Sequence, residues 1–290
     1  GTPDSGGEVR SADLVTGYLE GSGLELEYYE PHPGRRSVLA KIEGSDPTAP
    51  GLMLMGHTDV VPVNDSGWTH DPFGGELIDG VVWGRGAVDM LNLTASMMVA
   101  FKHLADSGFK PRGTLSYLAV ADEEASGTWG AEWLLENELD AVRTENVVTE
   151  SGGFQMGSPG GIRLPVMVEE KGALWTKLTV RGTPGHGSQP HRTDNALLKA
   201  AEIVTRIGKY RPPAKVGNTW RSFVEGMQLP PELADPEKLD AVIEGLPIGA
   251  SRLFHSCTHT TMSPNVARSG SKVNVIPDHA EVLIDIRALP

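Results

Sequence analysis

Acidic and histidine side chains follow three short apolar runs of the sequence, each at the point where the run ends. The runs cover residues 52–55, 115–121 and 146–149, and the groups behind them are His57 with Asp59, Glu123 with Glu124, and Glu150. Short apolar runs between turn residues are typical of buried strands in an α/β sheet. Because the carboxyl ends of parallel strands line the ligand crevice of such a sheet, we expect these side chains to converge.

Asp89 joins this group from a different kind of segment. Residues 77–83 predict a hairpin that turns at Asp79-Gly80, and residues 90–105 carry the apolar spacing of a helix. Asp89 lies between the hairpin and the helix, so its carboxylate can reach the same crevice or cap the helix. The residue pattern alone leaves both interpretations open.

The spacing within the pairs suggests a division of roles. His57 and Asp59 are two residues apart at a strand end, so Asp59 can accept a hydrogen bond from the far ring nitrogen of a metal-bound His57. Glu123 and Glu124 are adjacent and point in different directions, which lets one bind metal while the other handles protons. One imidazole with several carboxylates suits zinc, and the carboxylates exceed what one tetrahedral ion needs, which favours a two-metal site.

Each of these residues also has an ordinary explanation. An Asp-Glu-Glu run is most often a solvated loop, and a lone histidine at a strand end is more often a structural hydrogen-bonding group. Glu150 taken alone carries almost no weight. Several such placements in one chain, however, make a metal site the better interpretation.

Composition and missing motifs exclude several other classes of protein. The 290-residue chain has 25 basic and 38 acidic side chains, a net charge of −13 and no basic stripe, so nucleic acid is not an expected partner. No apolar run approaches the roughly 20 residues of a membrane span. The motifs of serine hydrolases, P-loop nucleotide-binding proteins and helical zinc proteases are missing. The single cysteine, Cys257, favours a reducing compartment, and we expect a cytoplasmic protein.

The order of the predicted elements divides the chain in two. Strands alternate with helices over the first part, which predicts an α/β fold with a largely parallel sheet. After about residue 171 the pattern changes to strand, helix, strand, strand, which is typical of a small α+β unit. Residues 211–248 are rich in Pro and Glu, and we interpret them as a surface excursion. We therefore place the two domains at residues 1–171 and 172–290.

Four segments resemble the zinc aminoacylase/carboxypeptidase family, whose members include acetylornithine deacetylase, succinyl-diaminopimelate desuccinylase, aminoacylase and glutamate carboxypeptidase. The segments are Met55-Gly56-His57-Thr58-Asp59-Val60-Val61-Pro62, Trp83-Gly84-Arg85-Gly86-Ala87-Val88-Asp89-Met90, Asp122-Glu123-Glu124 and Thr149-Glu150. They occur in the family's order, and the resemblance covers essentially the whole chain. It implies a three-layer α/β catalytic domain with a mainly parallel sheet, and an inserted α+β lid domain that often dimerises.

The resemblance also implies roles for the residues of the first domain. It gives His57, Asp89 and Glu150 to one zinc ion, and Asp89 and Glu124 to a second. It makes Glu123 the general base, and we count Asp59 with it among the catalytic residues. It further implies a cis peptide bond between Asp89 and Met90.

Roles for the second domain rest on the resemblance as well. Residues 182–188 resemble the family segment whose histidine, here His186, stabilises the oxyanion in an active site, commonly that of the partner subunit. Asn274 and Arg287 lie in segments that resemble those binding a substrate carboxylate. Without the resemblance, His186 would be a flexible-loop histidine and Arg287 an ordinary exposed strand residue.

The sequence departs from the family pattern in two places. Leu91-Asn92 follow Asp89-Met90 where the family usually has Lys-Gly. The family chain also returns from the lid to the catalytic domain and there supplies a histidine to the second zinc, whereas this sequence ends at Pro290. We therefore expect a chain truncated after the lid, with a weakly held second metal and little amidase activity.

These observations together predict a di-zinc metallohydrolase that cleaves a peptide or N-acyl amide bond next to a free carboxylate, in the manner of a carboxypeptidase or dipeptidase. Expected substrates are small peptides or N-acyl amino acids, cobalt or manganese are possible substitutes for zinc, and a homodimer through the lid is expected. One alternative is an N-acyl-amino-acid deacylase of the acetylornithine deacetylase or desuccinylase type. Another is a non-catalytic metal-binding or dimerisation protein that retains the fold.

Overall fold

The described residues up to Glu150 form a first unit, in which helices cover a mixed sheet. The computed structural model describes residues 7–64, 66–151 and 154–290. The elements are, in chain order, α1 Val9–Leu19, β1 Leu26–Tyr29, β2 Ser37–Ile42, β3 Leu52–His57, β4 Glu76–Ile78, β5 Val81–Trp83, α2 Leu91–Asp106, β6 Leu115–Val120, α3 Trp133–Asn137, α4 Leu139–Val142 and β7 Asn146–Val148.

The central sheet has five strands in the order β1-β2-β6-β3-β7. β3 pairs in parallel with both β6 and β7. β2 pairs antiparallel with β1 and with β6. All strands except β2 therefore run in one direction, and the expected mainly parallel sheet is confirmed.

Helices cover both faces of this sheet. On one face, α1 and α2 pack against β2 and β6, with the ring centroids of Phe101 and Tyr117 5.8 Å apart. On the other face, Leu134 of α3 and Val142 of α4 pack against Leu118 of β6. All six residues of β6 are buried, which explains why its sequence is nearly continuously apolar rather than alternating. The three-layer arrangement is therefore confirmed.

The β4–β5 hairpin turns where the sequence predicts it. Asp79 and Gly80 both have positive φ, 49° and 81°, as the favoured two-residue hairpin turn requires. The chain then runs through Gly86 to Asp89 and into α2. The peptide bond between Asp89 and Met90 is cis, as the resemblance implies.

The helical segment that follows Gly127 is interrupted at Gly130. Gly130 has non-helical φ and ψ of −113° and −106°, and the helix restarts as α3 and then α4. A Cβ at Gly130 would lie 1.8 Å from the main-chain oxygen of Ala121. The backbone therefore bends at Gly130 because it packs directly against the end of β6, a tertiary contact that helical periodicity does not reveal.

The second unit contains several antiparallel strands and a group of helices. Its elements are, in chain order, β8 Met156–Ser158, β9 Gly161–Arg163, β10 Gly172–Arg181, β11 Gly185–His186, α5 Ala196–Lys209, α6 Asn218–Gly226, α7 Leu239–Glu244, α8 Ile248–Thr258, β12 Thr261–Ser269, β13 Val275–Ile276 and β14 His279–Ala288. β14 lies between β10 and β12, and α5 packs on one face of this sheet through Ala196 and Ala200. The side chain of Asn195 caps α5 by accepting hydrogen bonds from two main-chain N–H groups.

The interpretation of residues 211–248 as a surface excursion is wrong. This stretch folds into α6, α7 and a short 3₁₀ turn, Pro231–Ala234, which share a small core with α8. Trp220, Leu239 and Phe254 are buried in that core, and the indole N–H of Trp220 donates to the main-chain oxygen of Leu233. The apolar residues are spaced irregularly between prolines, so their common core could not be recognised from a single period.

The structural division of the chain falls between Glu150 and Ser151, earlier than the predicted boundary after Lys171. Residues 154–171 belong with the second unit because their contacts lie there. The hydroxyl of Thr219 hydrogen-bonds the carboxylate of Glu169, and Lys171 donates to the main-chain oxygen of His259 at 2.8 Å.

Among the described helices, none has both the length and the apolar character that a bilayer crossing needs.

Candidate metal centre

The carboxyl ends of three adjacent parallel strands meet at one edge of the first unit's sheet. β3 ends at His57, β6 leads into Glu123 and Glu124, and β7 leads into Glu150. The connection between the β4–β5 hairpin and α2 brings Asp89 to the same edge. The convergence expected from the strand order is therefore present in the structure.

Distances within this group are those of a ligand cluster. The Nε2 atom of His57 lies 3.2 Å from Oδ1 of Asp89, 3.8 Å from Oε2 of Glu123 and 3.9 Å from Oε2 of Glu150. One ligand atom each from His57, Asp89 and Glu124 lie within 4.8 Å of one another. The structure thus brings all four predicted metal ligands, and the predicted base, around one imidazole nitrogen.

The electrostatics of the cluster indicate that it suits a cation. Burial raises the pKa of the Glu124 carboxyl, and the neighbouring charges of Asp89 and Glu123 raise it further. Burial likewise raises the pKa of Glu150, again with Asp89 nearby. Like charges held this close disfavour ionisation unless a positive charge lies between them. Carboxylate oxygens and one imidazole form a donor set that fits zinc and similar divalent ions.

The ring of His57 is oriented by main-chain and side-chain groups of Asp59. Its Nδ1 lies 3.0 Å from the main-chain oxygen of Asp59 and 3.6 Å from that residue's carboxylate. The predicted hydrogen bond to the Asp59 side chain is therefore replaced by one to the carbonyl, which leaves Nε2 facing the cluster. Burial lowers the pKa of His57, but the negative charges of Asp59 and Glu123 outweigh it and the net pKa is raised.

The carboxylate of Asp59 has a different task from the one predicted. It accepts hydrogen bonds from the main-chain N–H groups of Glu123, at 3.1 Å, and Glu124, at 2.9 Å. Asp59 is buried, and burial raises its pKa against the opposing effect of the bond from Glu124. Asp59 therefore fixes the turn that carries both glutamates.

A second buried carboxylate, Asp122, holds the same turn from the other side. Asp122 has a left-handed φ of 70°, its Oδ2 accepts from the N–H of Trp129 at 2.8 Å, and its Oδ1 lies 3.2 Å from the guanidinium of Arg35. Arg35 is fully buried and also forms an ion pair with Glu8. Sequence reasoning missed Glu8 and Arg35, because they lie far from the motifs and nothing local marks them as buried.

Two of the residues predicted to act from the second unit lie near each other. His186 in β11 pairs with Val275 of β13, and the N–H of Gly187 donates to the main-chain oxygen of Asn274 at 2.8 Å. The imidazole is exposed, with Nδ1 2.7 Å from the hydroxyl of Ser188. Arg287, by contrast, lies on β14 and forms a two-pronged ion pair with Asp285 of the same strand.

Comparison with known proteins agrees with this fold. A family model described as "Peptidase family M20/M25/M40" matches residues 53–250. An N-fatty-acyl-amino acid synthase/hydrolase from Danio rerio is 31% identical over 276 residues, which cover 88% of this chain and 51% of the relative. A succinyl-diaminopimelate desuccinylase from Gluconacetobacter diazotrophicus is 32% identical over 226 residues, covering 76% and 55%. The chain thus spans about half the length of the curated relatives it matches.

The architecture also matches solved structures. An M20 family metallo-carboxypeptidase from Sulfolobus solfataricus superimposes with a TM-score of 0.71 at 20% identity, over 97% of this chain and 66% of that one. At 20% identity, this structural similarity is evidence for the fold alone. The family match includes His57, Asp89, Glu123, Glu124 and Glu150, the five residues that the structure brings together. Because the family model matches more than half of the chain, this chain belongs to peptidase family M20/M25/M40.

Proposed function

We propose that this chain carries the metal centre of a hydrolase that cleaves a peptide or N-acyl amide bond next to a free carboxylate. The observation that carries the proposal is the cluster of Asp89, Glu123, Glu124 and Glu150 around Nε2 of His57. A purely structural metal site needs no carboxylate beyond its ligands, whereas this cluster holds Glu123 in addition to the four proposed ligands.

Glu123 is the proposed general base. Its carboxylate is about half exposed and adjoins the proposed ligands, so it can take a proton from the attacking water and return it to the departing amine. Asp59 and Asp122 hold the turn beneath it from two sides. A bound divalent metal would supply Lewis acidity toward the substrate carbonyl and toward water.

We assign two zinc ions to the cluster, held by His57, Asp89 and Glu150 and by Asp89 and Glu124. The number of carboxylates supports two ions rather than one, and cobalt or manganese could replace zinc because both accept imidazole and carboxylate ligands. Asp89 lies 3.2 Å from Nε2 of His57, and after burial its charge is the next largest cause of the raised pKa of both Glu124 and Glu150. This proximity to all three side chains supports a bridging role for Asp89.

Residues 172–290 are the proposed lid and dimerisation domain. In it, His186 is proposed to stabilise the oxyanion, while Asn274 and Arg287 are proposed to bind the substrate carboxylate. Since Arg287 is already paired with Asp285, a substrate carboxylate would have to displace or share that partner. The single cysteine supports a cytoplasmic location.

Small peptides and N-acyl amino acids are the proposed substrate classes. The names of the two relatives, an N-fatty-acyl-amino acid synthase/hydrolase and a desuccinylase, refer to N-acyl compounds and favour the deacylase as the second candidate.

Metal binding and turnover test the proposal separately. Cobalt titration followed by visible absorption should show binding to the wild-type chain and a loss of at least tenfold in affinity for Glu124→Gln. Glu123→Gln should keep cobalt affinity within about threefold while abolishing any turnover in a screen of dipeptides and N-acyl amino acids. Glu43→Gln, a carboxylate distant from the cluster in sequence and structure, is the matched control and should change neither.

The non-catalytic alternative predicts a different pattern. A binding protein would retain cobalt affinity in Glu123→Gln and would show no turnover in either the wild type or the variant. Cobalt affinity equal in wild type and Glu124→Gln would contradict the proposed metal centre itself.

A further inference from the structure

A cavity of about 660 Å³ lies behind the loop that follows His57, on the first unit. Its walls come from the start of α1, residues 58–60 after β3, residues 72–75, the end of β5 with the loop behind it, and the first turn of α2. The volume lies within the range of small-molecule sites. None of the proposed metal ligands lines this cavity, so it is distinct from the metal centre although it adjoins it in the chain.

Apolar residues supply half of the lining side chains, and several of them face solvent. Phe73 and Val82 are 67% and 56% exposed, and Val60, Trp83 and Leu91 complete the apolar wall. Apolar side chains that meet around a concave surface gain free energy when an apolar ligand replaces water there. The wall therefore fits an aliphatic chain.

Two arginines, Arg10 and Arg85, line the same cavity. No ion pair joins Arg85 or Arg10 to a described residue, although acidic side chains outnumber basic ones 38 to 25 in this chain. The Nε of Arg85 is buried and lacks a hydrogen-bond partner, while its guanidinium carbon lies 5.5 Å from the centre of the Trp68 ring. Arg85 as a whole is only partly buried and lines the cavity, so the remaining N–H groups of its guanidinium can donate to a ligand there.

The two arginines and the apolar wall together favour one class of ligand. A guanidinium pairs with the planar carboxylate through two parallel hydrogen bonds, and the adjoining apolar wall takes a hydrocarbon body. Asp59 and Glu8 also line the cavity, so a singly charged anion is accommodated better than a doubly charged phosphate. We propose that this cavity binds an aliphatic monocarboxylate, with its carboxylate at Arg85 and Arg10 and its chain along Phe73, Val82 and Leu91.

Calorimetric titration with decanoate, below its aggregation concentration and with a chelator present, tests the site independently of the proposed hydrolase. The chelator removes metal as an alternative carboxylate receptor. Decanoate should bind at least tenfold more tightly than decanol, which lacks the charge, and than propionate, which lacks the chain. In Arg85→Gln the advantage of decanoate over decanol should disappear, because a charged hydrogen bond of this kind is worth about tenfold or more. Arg252→Gln, at an exposed arginine of the second unit, should leave it unchanged.

Two neighbouring substitutions on β5 locate the bound chain. Val81 and Val82 are almost equally exposed, 55% and 56%, but only Val82 lines the cavity, since successive strand residues point to opposite faces. Val82→Glu should weaken decanoate binding at least tenfold, whereas Val81→Glu should change it less than twofold. Equal effects of the two variants, equal affinities for decanoate and decanol, or tighter binding of decyl phosphate than of decanoate would each overturn the proposal.

Discussion

Asp59 acts on the metal centre through the main chain. Its carboxylate accepts the N–H groups of Glu123 and Glu124, and its carbonyl accepts from the ring of His57. Asp59→Asn removes the charge and one of the two acceptors, so we expect cobalt affinity to fall by about 10–100-fold, the usual cost of losing a group that orients metal ligands. The measurement is a competitive cobalt titration.

The control for this substitution is Asp46→Asn. Asp46 also accepts a main-chain hydrogen bond, from Thr48 two residues away, but it does so in an exposed turn remote from the cluster. If both variants bind cobalt like the wild type, the Asp59 carboxylate does not position the two glutamates.

Arg35 is the only described cation buried with Glu8 and Asp122. Arg35→Met would leave two carboxylates buried without their cation, and we expect the free energy of unfolding to drop by about 3–5 kcal/mol. Urea unfolding followed by circular dichroism measures this loss. The neighbouring Arg36 provides a matched control, because its pairs with Asp13 and Glu30 are partly exposed and Arg36→Met should cost only about 0–1 kcal/mol.

The chemistry-bearing residues were predictable to different degrees. His57 and Glu124 could be placed from sequence because each lies at or shortly after the end of a buried apolar run, and parallel neighbouring strands must end at one edge. Arg35 could not, since its burial depends on where residue 8 and residue 122 meet in three dimensions. The acceptor for the His57 ring was also mispredicted, because spacing alone does not distinguish the carboxylate of Asp59 from its carbonyl.

At the scale of elements, the bend at Gly130 connects the helical layer to the loop that carries the glutamates. A methyl group there would collide with the main-chain oxygen of Ala121, the residue directly before Asp122. We expect Gly130→Ala to lower the free energy of unfolding by about 1–3 kcal/mol, in the range of overpacked cores, and to weaken cobalt binding as well. Chemical denaturation and cobalt titration of the same variant measure both effects.

Gly17 in α1 offers the opposite outcome from the same substitution. A Cβ at Gly17 would meet nothing within 4 Å, and the residue lies within a helix. Gly17→Ala should therefore stabilise the protein by about 0.5–1 kcal/mol. Similar behaviour of the two variants would mean that the close packing of Gly130 has no energetic weight.

Elements defined by local rules were predicted well, and elements defined by packing were not. The β4–β5 hairpin depends on Asp79 and Gly80 tolerating positive φ, which is a property of those two residues. The helices between residues 211 and 248 are stabilised by packing against α8, as where the rings of Trp220 and Phe254 lie 5.2 Å apart. Such a contact joins residues distant in sequence, so composition alone favoured the wrong interpretation.

At the scale of the whole molecule, metal should stabilise one unit and not the other. The described residues contain one cluster suited to a metal ion, and all of it lies before Ser151. Metal at a hundred times its dissociation constant adds about 2.7 kcal/mol to the unit that binds it. Adding a chelator should therefore raise hydrogen exchange in β3 and β6, while exchange in β10 and β14 stays the same. Equal changes in both units would contradict this prediction.

The pH dependence of stability should change sign when metal is removed. In chelated protein, burial and neighbouring carboxylates raise the pKa of Glu124 and Glu150, so the folded chain keeps protons that the unfolded chain has lost. The free energy of unfolding therefore falls as pH rises from about 4, the ordinary carboxyl pKa, toward neutrality. His57 acts in the same direction, because its raised pKa gives stability that is lost as pH rises through that value.

Exposed carboxyls such as Asp46, whose pKa is lowered by a hydrogen bond from Thr48, act in the opposite direction and would obscure this trend in a single curve. The quantity to measure is thus the difference in free energy of unfolding between wild type and the double variant Glu124→Gln/Glu150→Gln, because the surface groups are common to both. With chelator, the wild type should lose stability relative to the variant as pH rises from 4 to 7. With zinc added it should gain, because protons and metal compete for the same oxygens. A difference that rises with pH in chelator would show that these glutamates are not crowded by like charge in the folded chain.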